Sequence, residues 1–223
     1  PPENGHKSDR FETAFGLRDS KEYIEISYRP AYHDLTNNDE GYVENSQVVF
    51  LDTSLRYYFD DNSLKLQKID AIDIISITPM DFFDPNFSWK AKTGLERKPL
   101  PNKSDIIFYD ISVSGGTACK GKNNTFFVFG NSKIELSDKF KENLSLGLGF
   151  TLGFITKLSE KGKTVLEIEN NNFFIGHNHH NVKASVNQSF FFKQDIQVGI
   201  KLEREKFLKN YYSDIKIYID HFF

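Results

Sequence analysis

The run Leu144-Ser145-Leu146-Gly147-Leu148-Gly149-Phe150-Thr151-Leu152-Gly153-Phe154 alternates between large apolar and small residues. Successive strand side chains point to opposite faces. One face is therefore Leu144, Leu146, Leu148, Phe150, Leu152 and Phe154, and the other is Ser145, Gly147, Gly149, Thr151 and Gly153. A soluble antiparallel strand usually carries charge on its non-core face. A strand crossing a bilayer must instead show lipid an unbroken apolar row, and it can turn small residues toward a lumen.

The rest of the chain repeats this alternation. Phe11, Thr13, Phe15 and Leu17 oppose Arg10, Glu12, Ala14, Gly16 and Arg18. Ile24, Ile26 and Tyr28 oppose Glu25, Ser27 and Arg29, and Val49, Leu51, Thr53, Leu55 and Tyr57 oppose Phe50, Asp52, Ser54 and Arg56. Trp89, Ala91, Thr93 and Leu95 oppose Lys90, Lys92, Gly94 and Glu96, and the pattern recurs at residues 107–114, 182–192, 196–203 and 215–223. A phase change at residues 69–72 reads as a bulge, residues 126–136 are ambiguous in phase, and residues 165–175 are weak. No comparable window has a helical period.

These features predict an all-β fold, an antiparallel up-and-down transmembrane β-barrel of about 12 strands. The charged second faces would line the lumen, and residues 1–223 would form a single domain. The in-phase terminal aromatic, Phe223, resembles the C-terminal signal of bacterial outer-membrane proteins. The 22 Phe and 10 Tyr favour strands, and 28 basic against 31 acidic residues give no reason to expect a nucleic-acid partner. Cys119 is the only cysteine, so no internal disulfide is possible, and we expect it to be a spare thiol. The chain opens on Pro1 without a signal peptide, which we read as part of a longer exported protein.

Several stretches resemble one family: Gly5-His6-Lys7-Ser8-Asp9-Arg10, Tyr28-Arg29-Pro30-Ala31-Tyr32-His33-Asp34-Leu35, Gly41-Tyr42, Phe50-Leu51-Asp52, Leu55-Arg56-Tyr57-Tyr58, Ile74-Ile75-Ser76-Ile77-Thr78-Pro79, Phe82-Phe83 and Ser88-Trp89-Lys90. They look like the C-terminal part of the Lnb-like proteins (domain of unknown function 4105), over residues 1–97. The resemblance implies an N-terminal periplasmic domain of cysteine-protease-like fold, absent from this chain, followed by a barrel. It also implies that some members take part in N-acylation of lipoproteins. The nucleophile would belong to the absent domain, so this chain is expected to be non-catalytic, without cofactor or metal.

The first functional expectation is accordingly an outer-membrane barrel that anchors the catalytic domain, with the outer-membrane bilayer and that domain as partners and both termini facing the periplasm. The long connections at residues 33–46 and 79–87 fall on the terminal side. A periplasmic docking collar would comprise His6, Arg10, Arg29, Tyr32, His33, Asp34, Tyr42, Phe82 and Phe83. A mutually neutralising lumen network would comprise Glu12, Arg18, Glu25, Asp52, Arg56, Lys90, Lys92, Glu96 and Asp110. The alternatives are a solute pore, or a soluble β-barrel or sandwich that binds a ligand. His177, His179 and His180 could ligate zinc, but no Cys or carboxylate lies at supporting spacing, so a polar hairpin tip is expected. His6, Ser8, His33 and Asp34 could be written as a nucleophilic triad, but structural hydrogen bonding is the expectation because a triad is defined by geometry.

Overall fold

The computed structural model describes residues 5–80, 86–100, 104–159 and 161–223. Its strands are β1 (Arg10–Arg18), β2 (Lys21–Arg29), β3 (Ala31–His33), β4 (Ser46–Tyr58), β5 (Ser63–Ser76), β6 (Ser88–Pro99), β7 (Asp105–Lys120), β8 (Asn124–Leu136), β9 (Leu144–Ser159), β10 (Gly162–Gly176), β11 (His179–Lys193), β12 (Ile196–Phe207) and β13 (Asn210–Phe222). Each pairs antiparallel with its neighbours in a single sheet. β1 pairs with β13 and β2 with β4, so the sheet closes on itself. β2 and β3 pair in succession with the same β4 and are separated only by Pro30, which has no N–H to give to the ladder. They make one stave, and the barrel has twelve. The expected bulge is present, as a register shift between Asp70 and Ile72.

The apolar faces point outward. On β1 Phe11, Phe15 and Leu17 are exposed, while Arg10, Glu12 and Arg18 are buried. A soluble barrel would invert this arrangement, because its interior must be the apolar side. The exterior ends in two bands of aromatics. Tyr28, Tyr32, Phe87, Trp89, Phe190 and Phe223 ring the mouth that carries the termini, and Tyr57, Phe59, Tyr109, Phe174 and Tyr211 ring the other, all exposed. Such girdles sit where a bilayer meets water.

The Leu144–Ser159 strand faces as expected, with Leu148 and Phe150 outside and Ser145, Thr151 and Gly153 buried. Its small face accommodates neighbouring side chains: a Cβ on Gly153 would lie 1.9 Å from the Phe127 ring, and one on Gly149 would lie 2.1 Å from Asn171 Oδ1. Gly153→Ala should therefore destabilise the folded barrel by about 1–3 kcal/mol through overpacking. Urea unfolding in detergent, followed by heat-dependent gel mobility, measures it, and a neutral result would show that Phe127 can move aside.

Candidate functional site

The lumen is a layered lattice of opposite charges. Arg10 sits at its centre near the terminal mouth. Its guanidinium donates to Asp34 at 3.2 Å, to both oxygens of Asp52 at 3.1 and 3.2 Å and to Ser27 Oγ at 3.3 Å, and it lies 3.6 Å from Glu12 and 3.7 Å from Asp220. Lys68 continues the chain to Asp52 (2.9 Å) and Asp70 (2.7 Å), which also meets Lys92 at 3.1 Å. Lys216 joins Glu12 (2.5 Å) to Glu25 (2.7 Å). Arg56 bridges Glu25 and Asp214 and lies 4.0 Å over the Tyr23 ring, while Arg18 donates to Asp214 at 2.8 Å. Asp110 lies 3.5 Å from Lys133. Lys90 and Glu96 line the same space, a chamber of ≈ 280 Å³. Every member of the network read from alternation thus faces the lumen.

Residues 34–45 fold back into the terminal mouth. Leu35 packs against Ile75, Ile77, Ala118, Phe127, Phe129, Ile155 and Val165, an apolar ring contributed by five staves. Ser189 Oγ donates to the Thr36 carbonyl at 2.6 Å, and Arg29 donates to Asn37 Oδ1 at 3.1 Å. Lys163 and Lys157 hold the two Asp39 oxygens at 2.8 and 3.0 Å, and Asn45 donates to Thr125 Oγ1 at 3.1 Å. Burial opposes ionisation of Asp39, but the nearby His33 ring, 3.6 Å away, and the two lysines outweigh that and hold its carboxyl below the usual range. These contacts tie the segment to opposite walls, so it acts as a plug.

A stack of rings seals the plug's edge. His6 Nε2 lies 3.0 Å from His33 Nδ1, the Tyr42 hydroxyl donates to the His6 carbonyl at 2.7 Å, and Phe222 lies 4.2 Å from His6 between centroids. Burial is the main reason that the His6 imidazole is pushed down to about 4, with nearby His33 and Arg29 adding to it. A ring held neutral this way contributes its full stabilisation above the ordinary value of about 6.5 and loses it as pH falls from there through about 4. Amide exchange of residues 33–42, corrected for the intrinsic pH dependence, should accelerate over that window. His6→Gln should flatten the change, and an unchanged profile in that variant would place the titration elsewhere.

At the opposite mouth the described residues form an aromatic cluster. Phe108 on β7 stacks on Phe207 of β12 at 5.3 Å across the lumen, within a buried cluster that includes Ile106, Phe140 and Tyr212. Lys98 lies over the Phe207 ring at 4.8 Å and pairs with Glu205.

The other predicted groups separate. Of the collar residues, His6, Arg10, Arg29, His33, Asp34 and Tyr42 do meet, but they are directed at one another. Tyr32 points outward and is 53% exposed, and Phe82 and Phe83 lie outside the described residues. No His6–Ser8–Asp34 relay forms: Ser8 donates to Asp9, and Asp34 is taken by Arg10 and Arg29. His177 accepts from the Lys141 amide, His179 stacks on Phe173 at 4.1 Å, and His180 turns outward to Asn170, so the three histidines do not converge. No group of three metal-ligating side chains occurs among the described residues.

Ser145, His179 and Glu135 come close to a nucleophilic arrangement that sequence spacing did not suggest, at 3.2 and 3.3 Å. However, the His177 carbonyl accepts both the Ser145 hydroxyl at 2.5 Å and His179 Nδ1 at 2.8 Å. With Nδ1 donating there, the ring cannot take the serine proton. The residues that sequence reasoning missed are those of the plug and its holders, Leu35, Asn37, Asp39 and Lys163. Their only local signal was a lone leucine in an Asn- and Asp-rich loop.

A closed twelve-stave barrel with a lipid-ready exterior and a charged interior has the architecture of an outer-membrane porin. The KdgM porin aligns over 96% of this chain and 99% of its own, with a TM-score of 0.55 and 9% identity. The KdgM porin in complex with disordered oligogalacturonate and the NanC porin align over the same shares with TM-scores of 0.54, at 8% and 7% identity. The family described as domain of unknown function (DUF7840) matches residues 1–222, so the chain belongs to that family. No curated protein matches the sequence. The resemblance to the Lnb-like proteins over residues 1–97 is thereby corrected, because a match spanning the whole chain outweighs a run of motifs covering less than half of it. The anchoring role that rested on that resemblance falls with it, and of the stretches that carried it, those at residues 28–35 and 41–42 lie mostly in the terminal mouth and its ring stack.

Proposed function

We propose that this barrel is a gated solute channel of the bacterial outer membrane, with its termini on the periplasmic side and no catalysis of its own. The observation that carries the reading is the lumen, where a continuous ladder of charged side chains surrounds a chamber between two closures. An anchor needs only a lipid-facing exterior and could fill its core with neutral side chains at lower desolvation cost. The likeness to the KdgM and NanC porins supports the channel reading at the level of the fold.

The lining also defines the solute class. Among the described residues nine cations and eleven carboxylates face the chamber, interleaved in sign. Such a wall offers no strong preference for net anions such as an oligogalacturonate. It complements small zwitterionic or polar solutes, whose opposite charges pair with successive rungs. Liposome swelling tests this. Glycine and other small zwitterions should enter proteoliposomes faster than monovalent anions or cations of similar size. A barrel as impermeable as protein-free lipid, including in the variant that combines a displaced plug with Phe108→Ala, would overturn the channel reading.

A further inference from the structure

Arg204 interrupts the apolar exterior. It lies on the outward face of β12, directly across from Ala184 of β11. Its guanidinium donates to Ser213 Oγ at 2.5 Å, and no carboxylate among the described residues pairs with it. Lys206, the next outward residue on β12, sits 3.5 Å from His180 Nδ1 and 6.0 Å over the ring of Tyr211, a member of the aromatic band. From Arg204 an apolar groove of ≈ 670 Å³ runs along the wall, with Leu166, Ile168, Ala184, Val186, Leu202 and Ile215 in its lining. The small Ala184 side chain, between larger neighbours, leaves the hollow open beside the guanidinium.

An unpaired guanidinium on a lipid-facing wall requires an anion, because apolar chains cannot solvate it. The height is that of the aromatic band, where headgroups lie. A second copy of the chain is a poor occupant. The lipid faces of β1 and β13, with Phe11, Phe15, Ile217 and Ile219, bring no carboxylate to it. We propose that this is a binding site for one phosphate-bearing anionic lipid of the surrounding leaflet. Its phosphate would engage Arg204 and Lys206, and one acyl chain would fill the groove beside Ala184. The site is independent of whether the lumen conducts.

The test uses the full chain in dodecyl maltoside micelles doped with either palmitoyl-oleoyl phosphatidylglycerol or the matching phosphatidylethanolamine, read by native mass spectrometry. Folding of each variant is confirmed by heat-dependent gel mobility. The wild type should retain one phosphatidylglycerol per barrel in preference to phosphatidylethanolamine, by about fivefold for each cation engaged. Arg204→Gln with Lys206→Gln should abolish the preference, and Ala184→Phe should lose both lipids. Equal retention of the two lipids by the wild type would overturn the proposal. So would wild-type-like retention in Ala184→Phe, or a dimer that this substitution breaks. If Ala184→Phe fails to fold, the charge variant still decides.

Discussion

Arg10→Ala should destabilise the barrel by about 3–5 kcal/mol, the usual cost of removing one partner from a buried ionic cluster. The reason lies in what remains. Asp34, Asp52, Glu12 and Asp220 all face the Arg10 guanidinium, and Asp52 keeps only Lys68 as a cationic partner, at 2.9 Å. Arg10→Lys keeps the charge but loses the planar fork that reaches Asp34 and Asp52 together, so it should recover only part of the stability. Pairing Arg10→Ala with Asp52→Ala should relieve some of the penalty, and the double-mutant cycle gives the coupling directly. Equilibrium urea unfolding in detergent reads all three. A loss near zero in Arg10→Ala would mean that water in the chamber already screens the cluster.

Leu35→Asp should expel the plug. It places a carboxylate inside the apolar ring of Ile75, Ile77, Phe127, Phe129 and Ile155. The polar tethers at Thr36, Asn37 and Asp39 each contribute about 1 kcal/mol or somewhat more, too little to hold a buried unpaired charge in place. Amide exchange of residues 35–45 should then rise by about a hundredfold or more, approaching that of an exposed loop. The strand amides should stay protected, since the ladder from β1 to β13 does not depend on the plug. Parallel loss of protection in the strands would instead make residues 34–45 part of the barrel's structural core.

Strand alternation made the fold legible because both sides of this wall are demanding. Lipid enforces an apolar row, and the lumen admits the charges of Arg10, Glu12, Asp52 and Lys92. The signal weakened at β10 for a physical reason. Asn170 and Asn172 face outward there, while Glu167 and Glu169 face the lumen, so polarity no longer distinguishes the sides. The plug was illegible for another. Its partners, such as Lys163 for Asp39 and Ser189 for Thr36, lie more than a hundred residues away along the chain. A loop that docks outward and one that folds inward have the same local composition. The distinctive residues at 28–35 and 41–42 consequently read as a docking surface, although in the folded chain most of them close the barrel's own mouth.

Single-channel recording in planar bilayers tests the central claim, that a conducting lumen is shut by residues 34–45 at one mouth and by the Phe108–Phe207 stack at the other. Wild-type protein should be closed for most of the record, with rare brief openings. Leu35→Asp combined with Phe108→Ala should give long-lived ohmic steps, because both constrictions are then relieved. A silent double variant, with its plug shown by amide exchange to be displaced, would contradict the account.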